Sequence, residues 1–341
     1  MSPHPTLPVV PPPLSIGARM LAGRCLLAPM AGITDLPVRR LAARLGASMV
    51  VSEMIAGDAL AGGELEAQLK AERGDVSPHA VQLAGCTAVA MAAAATVAAA
   101  PGAEIIDINM GCPAKRVVNG WSGSALMRNL DHALSLIEAV VGAVKVAVTV
   151  KMRLGWDAAS RNAPELARRA EEAGVAMVTV HGRTRCQFYK GAADWDAIAA
   201  VKAAVSIPVV ANGDLTAVED APAMLARSGA DAVMIGRGAQ GRPWLPGDVA
   251  HFLATGKRRP EPSADERRAM LLAQYDEMLS LYGRRLGVRV ARKHIGWSFD
   301  AWPRAGGASL RKIALTSEEP GTVAGLIAAW FDEPAETRMA A

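Results

Sequence analysis

The stretch PVVANGDLTAVEDAPAMLARSGADAVMIGRGA, residues 208–239, decides the fold. It opens on an apolar, strand-like run at 208–212 and closes with another at 232–236. Neither run alternates apolar with polar residues. Continuous apolar runs suit parallel strands that are covered on both faces. Between them, 216–227 reads as a helix stopping near Gly229, the residue type that most readily closes a helix. The unit is β-α-β. Each strand also empties into a glycine-bearing turn, Asn212-Gly213-Asp214 after the first and Gly236-Arg237-Gly238 after the second.

Working outward, the same unit recurs. Strand-like runs lie at 26–30, 49–52, 80–83, 105–109, 146–151 and 176–181, which makes eight with the two above. Helix-like segments follow nearly all of them. The segment 36–45 is amphipathic, 131–141 opens on Asp131 in the N-cap position, and 161–173 ends at Gly174. Eight β-then-α units predict an α/β fold, a (β/α)8 TIM barrel. A doubly wound sheet is the alternative. The first strand is not followed by GxGxxG, which counts against it.

The pattern changes after Trp244. A polar, proline-containing stretch at 254–268 leads into helix-like segments at 264–282, 288–299, 308–315 and 322–330, with no strand alternation. The expected layout is a proline-rich flexible tail at 1–13, a barrel domain at 14–250 and a small all-α helical-bundle domain at 251–341. The 341 residues suit one large α/β domain plus a smaller one. With 51% hydrophobic and 21% charged residues, the chain can bury a large core. The formal charge is +4, but residues 257–312 carry 13 Lys and Arg against 6 Asp and Glu, a local +7. That third of the chain is either a polyanion-binding face or a solvated helical surface.

The four cysteines, Cys25, Cys86, Cys112 and Cys186, form no CxxC pair and no Cys/His cluster at zinc spacing. This argues against a disulfide framework and against a metal site, and scattered thiols suit a reducing cytosol. Residues 1–13 lack the charged and apolar regions of a signal peptide. The alanine-rich 88–100 is too short and too weakly apolar to span a membrane. A soluble cytoplasmic protein is expected, with nothing demanding more than a monomer.

In a barrel of this kind the chemistry sits where the strands end. The strand ends here are unusually polar for a chain so rich in Ala, Val and Leu. The glycine turns at 212–214 and 236–238 would aim backbone N–H groups at a phosphate, with Arg237 adding a charged hydrogen bond. Lys151 and His181 end neighbouring strands and would face one mouth. Lys151 would steady negative charge on a reduced ring, or else form a salt bridge to Glu53 or Asp107. His181 is a ligand contact or a satisfied structural histidine. Gln82 reads the edge of a flat ring or bonds internally within the barrel.

The most distinctive stretch is DINMGCPAKRVVNGWSGSALMRN, residues 107–129. Cys112, set between Gly111 and Pro113, is either a buried turn residue or a reacting one. With LAPMAGITDLPVRRL, VQLAG, VKMRLGWD, VTVHGRTRCQFYKGAADW, VVANGDL and AVMIGRGAQGRPW in this order, the chain resembles the tRNA-dihydrouridine synthases, most of all their bacterial B-type branch. The resemblance covers about residues 14–315 and includes ARKHIGW at 291–297. After RKHIGW the family pattern continues with an aromatic, whereas Ser298 and Phe299 follow here.

The resemblance implies an FMN-dependent enzyme that uses NADPH to reduce the C5=C6 bond of particular tRNA uridines, in the D-loop near position 17. Carried over by residue, Pro29, Met30 and Ala31 would line the flavin ring, and Gln82 and Lys151 would bond its polar edge. His181 would contact FMN nearby. Asn212, Gly213, Asp214, Gly236 and Arg237 would hold the ribityl chain and phosphate. Cys112 would give the proton to the uracil. Asn109 and Arg153 would position the base, Lys115 and Arg116 would meet its phosphates, and the helical domain would bind the tRNA body. A thiol suits the role, being largely protonated at neutral pH yet acidic enough to donate. Gly111 would let the backbone approach closely, and Pro113 would stiffen the turn. Two rivals remain: another FMN barrel oxidoreductase acting on a free pyrimidine, and a non-catalytic RNA-binding regulator.

Overall fold

The computed structural model describes residues 13–332. All but the last residue of the expected proline-rich tail lies outside that range, as do residues 333–341. Eight parallel strands close into a barrel. They are β1 (Cys25–Leu27), β2 (Met49–Ala56), β3 (His79–Ala84), β4 (Ile105–Met110), β5 (Ala147–Arg153), β6 (Met177–His181), β7 (Val209–Asn212) and β8 (Ala232–Ile235). Each pairs with the next in sequence, and β8 returns to β1 through Val233 beside Cys25. The closed sheet replaces the doubly wound alternative.

Side chains two residues apart on a strand share a face. Read upward inside the barrel, the interior changes from apolar to polar. Ile105 leads to Asp107 and Asn109, Ala147 to Thr149 and Lys151, and Val210 to Asn212. The lower interior joins Leu26, Met49, Ala80, Ile105, Met177 and Val210 in one apolar cluster. That cluster includes Leu14, Ile16 and Leu21 from a short hairpin, Ser15–Ile16 paired with Arg19–Met20. The hairpin closes the N-terminal end, so the cavity opens at the other.

The observed elements differ from expectation in ways that bear on this open end. β1 stops at Leu27, because Pro29 has no N–H for a sheet and the chain turns, with Ile33 and Thr34 N–H donating to Met30 O. β2 runs on to Ala56 with a bulge between Val51 and Met54. The helix expected at 216–227 is Asp220–Ser228, which leaves Leu215 and Thr216 in the loop. The helix after β4 spans Leu130–Ala143 and is capped by Asn129, whose side chain accepts from His132 N–H; Asp131 is inside the first turn.

The eighth barrel helix, Leu245–Thr255, runs through residue 250, and coil follows at 256–263. Ser263 and Glu266 then form a reciprocal capping box that starts the long helix Ala264–Ala301. It breaks at Gly283, at φ 74 and ψ 161, between the two helices expected from sequence. Helices Ala308–Thr316 and Pro320–Phe331 complete this region. Leu271, Tyr275 and Met278 continue the barrel core, and Tyr282 Oη donates to Asp35 Oδ2 at 3.0 Å. Phe299, from the departing position after RKHIGW, stacks on Trp330 at 3.9 Å in this core.

The basic residues of 257–312 do not make one uniform face. Arg258 pairs with Glu219, Arg267 with Glu261, Arg268 with Asp265, and Arg311 with Asp300. Arg284, Arg285 and Arg289 are exposed beside the Gly283 break and have no ion-pair partner among the described residues. No helix among the described residues is long and apolar enough to cross a membrane.

Candidate functional site

A cavity of about 890 Å³ opens above the C-terminal ends of the strands. One wall is the turn after β1, with Pro29, Met30 and Ala31. The floor is the polar interior layer. Gln82 Nε2 donates to Asp107 Oδ2 at 2.6 Å, and its Oε1 accepts from Asn109 Nδ2 at 2.8 Å. Thr149 Oγ1 also donates to Asp107, at 2.6 Å. The internal-bond reading of Gln82 is therefore realised, while the residue still lines the cavity. Burial lifts the Asp107 carboxyl to about 6, against the bonds from Thr149 and Gln82.

Lys151 makes neither of the salt bridges weighed from sequence. Its Nζ donates to Asn212 Oδ1 at 2.9 Å, and Asn212 Nδ2 donates to Met234 O. Glu53 instead accepts from the Gly32 N–H. Burial, with the nearby Arg153 charge, pushes the Lys151 ammonium down to about 8. It remains charged at neutral pH, with donors left for an anion. Burial, together with Lys151 and three arginines, pushes His181 down to about 2, so it is neutral. Arg183 Nη1 lies 3.4 Å from its Nε2, which then serves as an acceptor.

The loops after β7 and β8 are held hard. Gly213 has φ +124, and a Cβ there would sit 2.7 Å from Ala193 Cβ and 3.0 Å from His181 Cδ2. Asp214, at φ 57, takes both arms of Arg183, at 2.9 and 2.5 Å, and the Ala193 N–H at 2.7 Å. Burial alone would lift its carboxyl, but the Arg183 and Ala193 bonds and the Arg183 and Arg237 charges hold it below the ordinary value. Arg237 is half-exposed, 3.5 Å from Asp214. Asp214 thus acts by positioning arginines. Arg183 is almost fully buried and was given no site role from sequence; its partner lies on another strand's loop.

The cysteine loop has its own supports. Asn109 Oδ1 accepts from Gly111 and Cys112 N–H at 3.1 and 2.9 Å, and so shapes the turn. Ser124 holds the Cys112 carbonyl through N–H and Oγ, at 3.1 and 2.8 Å. Arg153 is buried and clamps two loops, with Nε on Gly111 O at 2.8 Å and Nη1 on Thr184 O and Phe188 O. Within the protein, the crowded glycine of this loop is Gly123 rather than Gly111. A Cβ at Gly111 would meet nothing nearer than 3.4 Å, whereas at Gly123 it would lie 2.9 Å from Cys112 O. Cys112 lines the cavity; Cys25 is buried elsewhere, Cys86 borders a separate groove, and Cys186 is exposed.

All the residues expected to hold a cofactor line this one cavity, as do Asn109, Cys112 and Arg153. Lys115 and Arg116 do not. They are exposed on the short helix Lys115–Asn119, and Arg116 borders the groove of about 570 Å³ with Glu66 and Lys70. Sequence reasoning passed over Phe188, Tyr189 and Arg242 as lining residues. Among the described residues no three His, Cys, Asp or Glu side chains are grouped to hold a metal. The cavity suits a flat, partly apolar group with a polar edge and an anionic tail. Its volume is in the range of cofactor sites, and the edge and tail would meet Lys151 and the loops after β7 and β8.

Fold and site together define a (β/α)8-barrel enzyme with a cofactor-sized cavity and a thiol at its mouth. Residues 26–325 match the family described as Dihydrouridine synthase (Dus), and the chain belongs to that family. It is 55% identical over 323 residues to a probable tRNA-dihydrouridine synthase of Rhodobacter capsulatus, covering 94% of this chain and 98% of that one. It is 47% identical over 320 residues to tRNA-dihydrouridine synthase B of Xanthomonas axonopodis, covering 94% and 96% respectively. Among solved structures, histamine dehydrogenase from Rhizobium sp. 4-9 shares the fold, with a TM-score of 0.57 at 12% identity over 95% of this chain and 64% of that one.

Proposed function

We propose that this protein is a cytoplasmic, FMN-dependent and NADPH-driven tRNA-dihydrouridine synthase. It reduces the C5=C6 bond of a D-loop uridine, near position 17 by its B-type likeness. The observation that carries the reading is Cys112. Of four cysteines it alone lines the cavity that also holds Lys151, His181 and the two glycine loops. The relatives' names support the substrate.

FMN, when bound, would supply the hydride chemistry, with NADPH as its reductant. The chain's own residues do the rest. The Gly213 and Gly236 loops and Arg237 would bind the phosphate, while Lys151 and Gln82 would bond the ring's polar edge. Neutral His181 would contact the cofactor without adding charge. Cys112 delivers a proton to C5 and recovers one from solvent, which completes the addition of H⁻ and H⁺. Asn109 and Arg153 fix the loop that aims the sulfur. The barrel at 14–250 is the catalytic unit. The region from 251 onward binds the tRNA body, with Arg284, Arg285 and Arg289 as phosphate contacts. Extruding a uridine from its stack costs a few kcal/mol, which these remote contacts must offset.

The test is gene deletion followed by digestion of bulk tRNA and mass spectrometry of dihydrouridine. Loss at one defined uridine is expected, restored by wild type and not by Cys112→Ala. An unchanged map, in a strain with no second synthase for that site, would move the reading to a free-pyrimidine oxidoreductase or an RNA-binding regulator.

A further inference from the structure

We infer that a ladder leading out of the cavity ends in a base-stacking platform, Trp121, for an unpaired nucleotide next to the one that the cavity receives. The inference rests on the tRNA reading above and names how the neighbouring RNA is held. An unbroken ladder of aromatic rings and guanidinium groups leads out of the cavity. Phe188 lines the cavity, and Arg185 stacks on it at 4.7 Å. Arg185 also lies 4.7 Å from the Trp156 ring, and Arg128 lies 4.9 Å from that ring on its way to Trp121 at 5.6 Å. Arg128 thus links two indoles, and Trp121 ends the ladder with 58% of its surface exposed.

Three features separate this arrangement from ordinary surface packing. Neither Arg128 nor Arg185 has an acidic partner among the described residues, unlike Arg168 and Arg227, which are paired with carboxylates. The ladder therefore presents uncompensated positive charge. Second, its two ends, Trp121 and Phe188, both have left-handed backbone, with φ of 54 and 52. Bulky residues seldom adopt that conformation, and such strain persists where surrounding structure enforces it. Third, Trp121 is on the same loop as Cys112. Gly123, between them and Ser124, packs directly on the Cys112 carbonyl.

The ligand chemistry follows. Alternating rings and guanidiniums fit single-stranded nucleic acid, because every base has a π-face and every phosphate a charge. A duplex cannot use the open face of Trp121, since its bases already stack on each other. Flipping the target uridine leaves a neighbour with an uncovered face. Trp121 covers it, and Arg128 and Arg185 meet the adjoining phosphates.

The experiment measures tRNA affinity by filter binding, with three transcripts: intact, abasic 5′ of the target and abasic 3′ of it. Trp121→Ala should weaken intact tRNA about 5- to 150-fold, the range for losing one stacked base. The penalty should vanish on one of the abasic transcripts, and Trp121→Phe should restore most of the affinity. Arg128→Gln should reproduce part of the loss, with the Trp121 backbone unaltered. Unchanged affinity in Trp121→Ala, or an equal penalty on all three transcripts, overturns the platform. If wild type binds tRNA no better than an unrelated RNA hairpin, the tRNA reading itself fails, an outcome distinct from loss of the platform alone.

Discussion

The two sides of the cavity are built differently. On the side of β6 to β8, a nearly buried guanidinium, Arg183, locks Asp214 while Gly213 leaves no room for a Cβ. On the side of β4, a turn shaped by Asn109 and braced by Ser124 and Arg153 carries Cys112 at the edge of solvent. The first side is fixed by a charge pair between loops, the second by hydrogen bonds to backbone. A cofactor that stays bound needs a rigid cradle. A nucleotide that enters and leaves with every turnover needs a donor that is aimed and accessible. The contrast predicts that damage on the first side appears as lost cofactor and the larger loss of stability, and on the second mainly as lost turnover.

The strongest break is Cys112→Ala. Dihydrouridine formation should fall about 10²- to 10⁴-fold, the usual worth of a positioned proton donor, with cofactor content unchanged. Equal turnover by single-cycle assay would remove Cys112 from the chemistry. Asp214→Ala attacks the other side. It removes the counter-charge of the Arg183 guanidinium, which keeps its bonds to the Lys190 and Gly191 carbonyls, and unfolding free energy should drop by about 2–3 kcal/mol, as for lost charged hydrogen bonds to a buried group. A denaturant midpoint identical to wild type would show that the cradle does not depend on the pair. Gly123→Ala sharpens the contrast, because φ is +59 and the Cβ would lie 2.8 Å from Val117 Cγ1. It should cost about 1–2 kcal/mol and lower turnover while leaving cofactor affinity intact.

The Lys151 ammonium makes a pH prediction. Its folded value of about 8 lies below the ordinary 10.5, so the unfolded chain holds the proton more tightly. The burial penalty is fully present below pH 8 and is relieved as pH rises towards 10.5. In cofactor-free protein, Lys151→Met should therefore raise stability at pH 7, with the gain shrinking across that window. Cofactor affinity should move the opposite way. Thermal unfolding of both proteins from pH 7 to 10.5 checks the sign, and a gain that grows with pH would refute it.

Much of this was legible in the sequence because the chain is otherwise so plain. Glycines and polar residues at strand ends stand out against Ala, Val and Leu, and the repeated β-α unit places those ends at one mouth. What stayed hidden was pairing across distance. Arg183 is visible in HGRTR, but its meaning depends on Asp214, which folding alone brings beside it. Asn129 and Asp131 are both good caps, and only geometry chooses Asn129. Gly111 adjoins the cysteine, yet the glycine that the fold of the loop packs against the Cys112 carbonyl is Gly123. The ladder from Phe188 to Trp121 draws on three loops and has no local pattern. The local +7 was real, but only the structure separates the paired arginines from Arg284, Arg285 and Arg289.

That separation gives the smallest effect and a direct measure of where the RNA lies. Each phosphate contact contributes about 0.7–0.9 to the log–log salt slope of binding. Roughly five contacts would give a slope on the order of −4. Changing Arg284, Arg285 and Arg289 together to Gln should reduce the slope by about 2–3 without altering stability, since these side chains are exposed and have no ion-pair partner among the described residues. Changing Lys115 and Arg116 to Gln should reduce it by less than about 2. The two losses should add, because one set lies at the helix break and the other beside the cysteine loop. If only the Lys115 and Arg116 change mattered, the RNA would be held by the barrel face alone, and the helical region would be packing rather than interface.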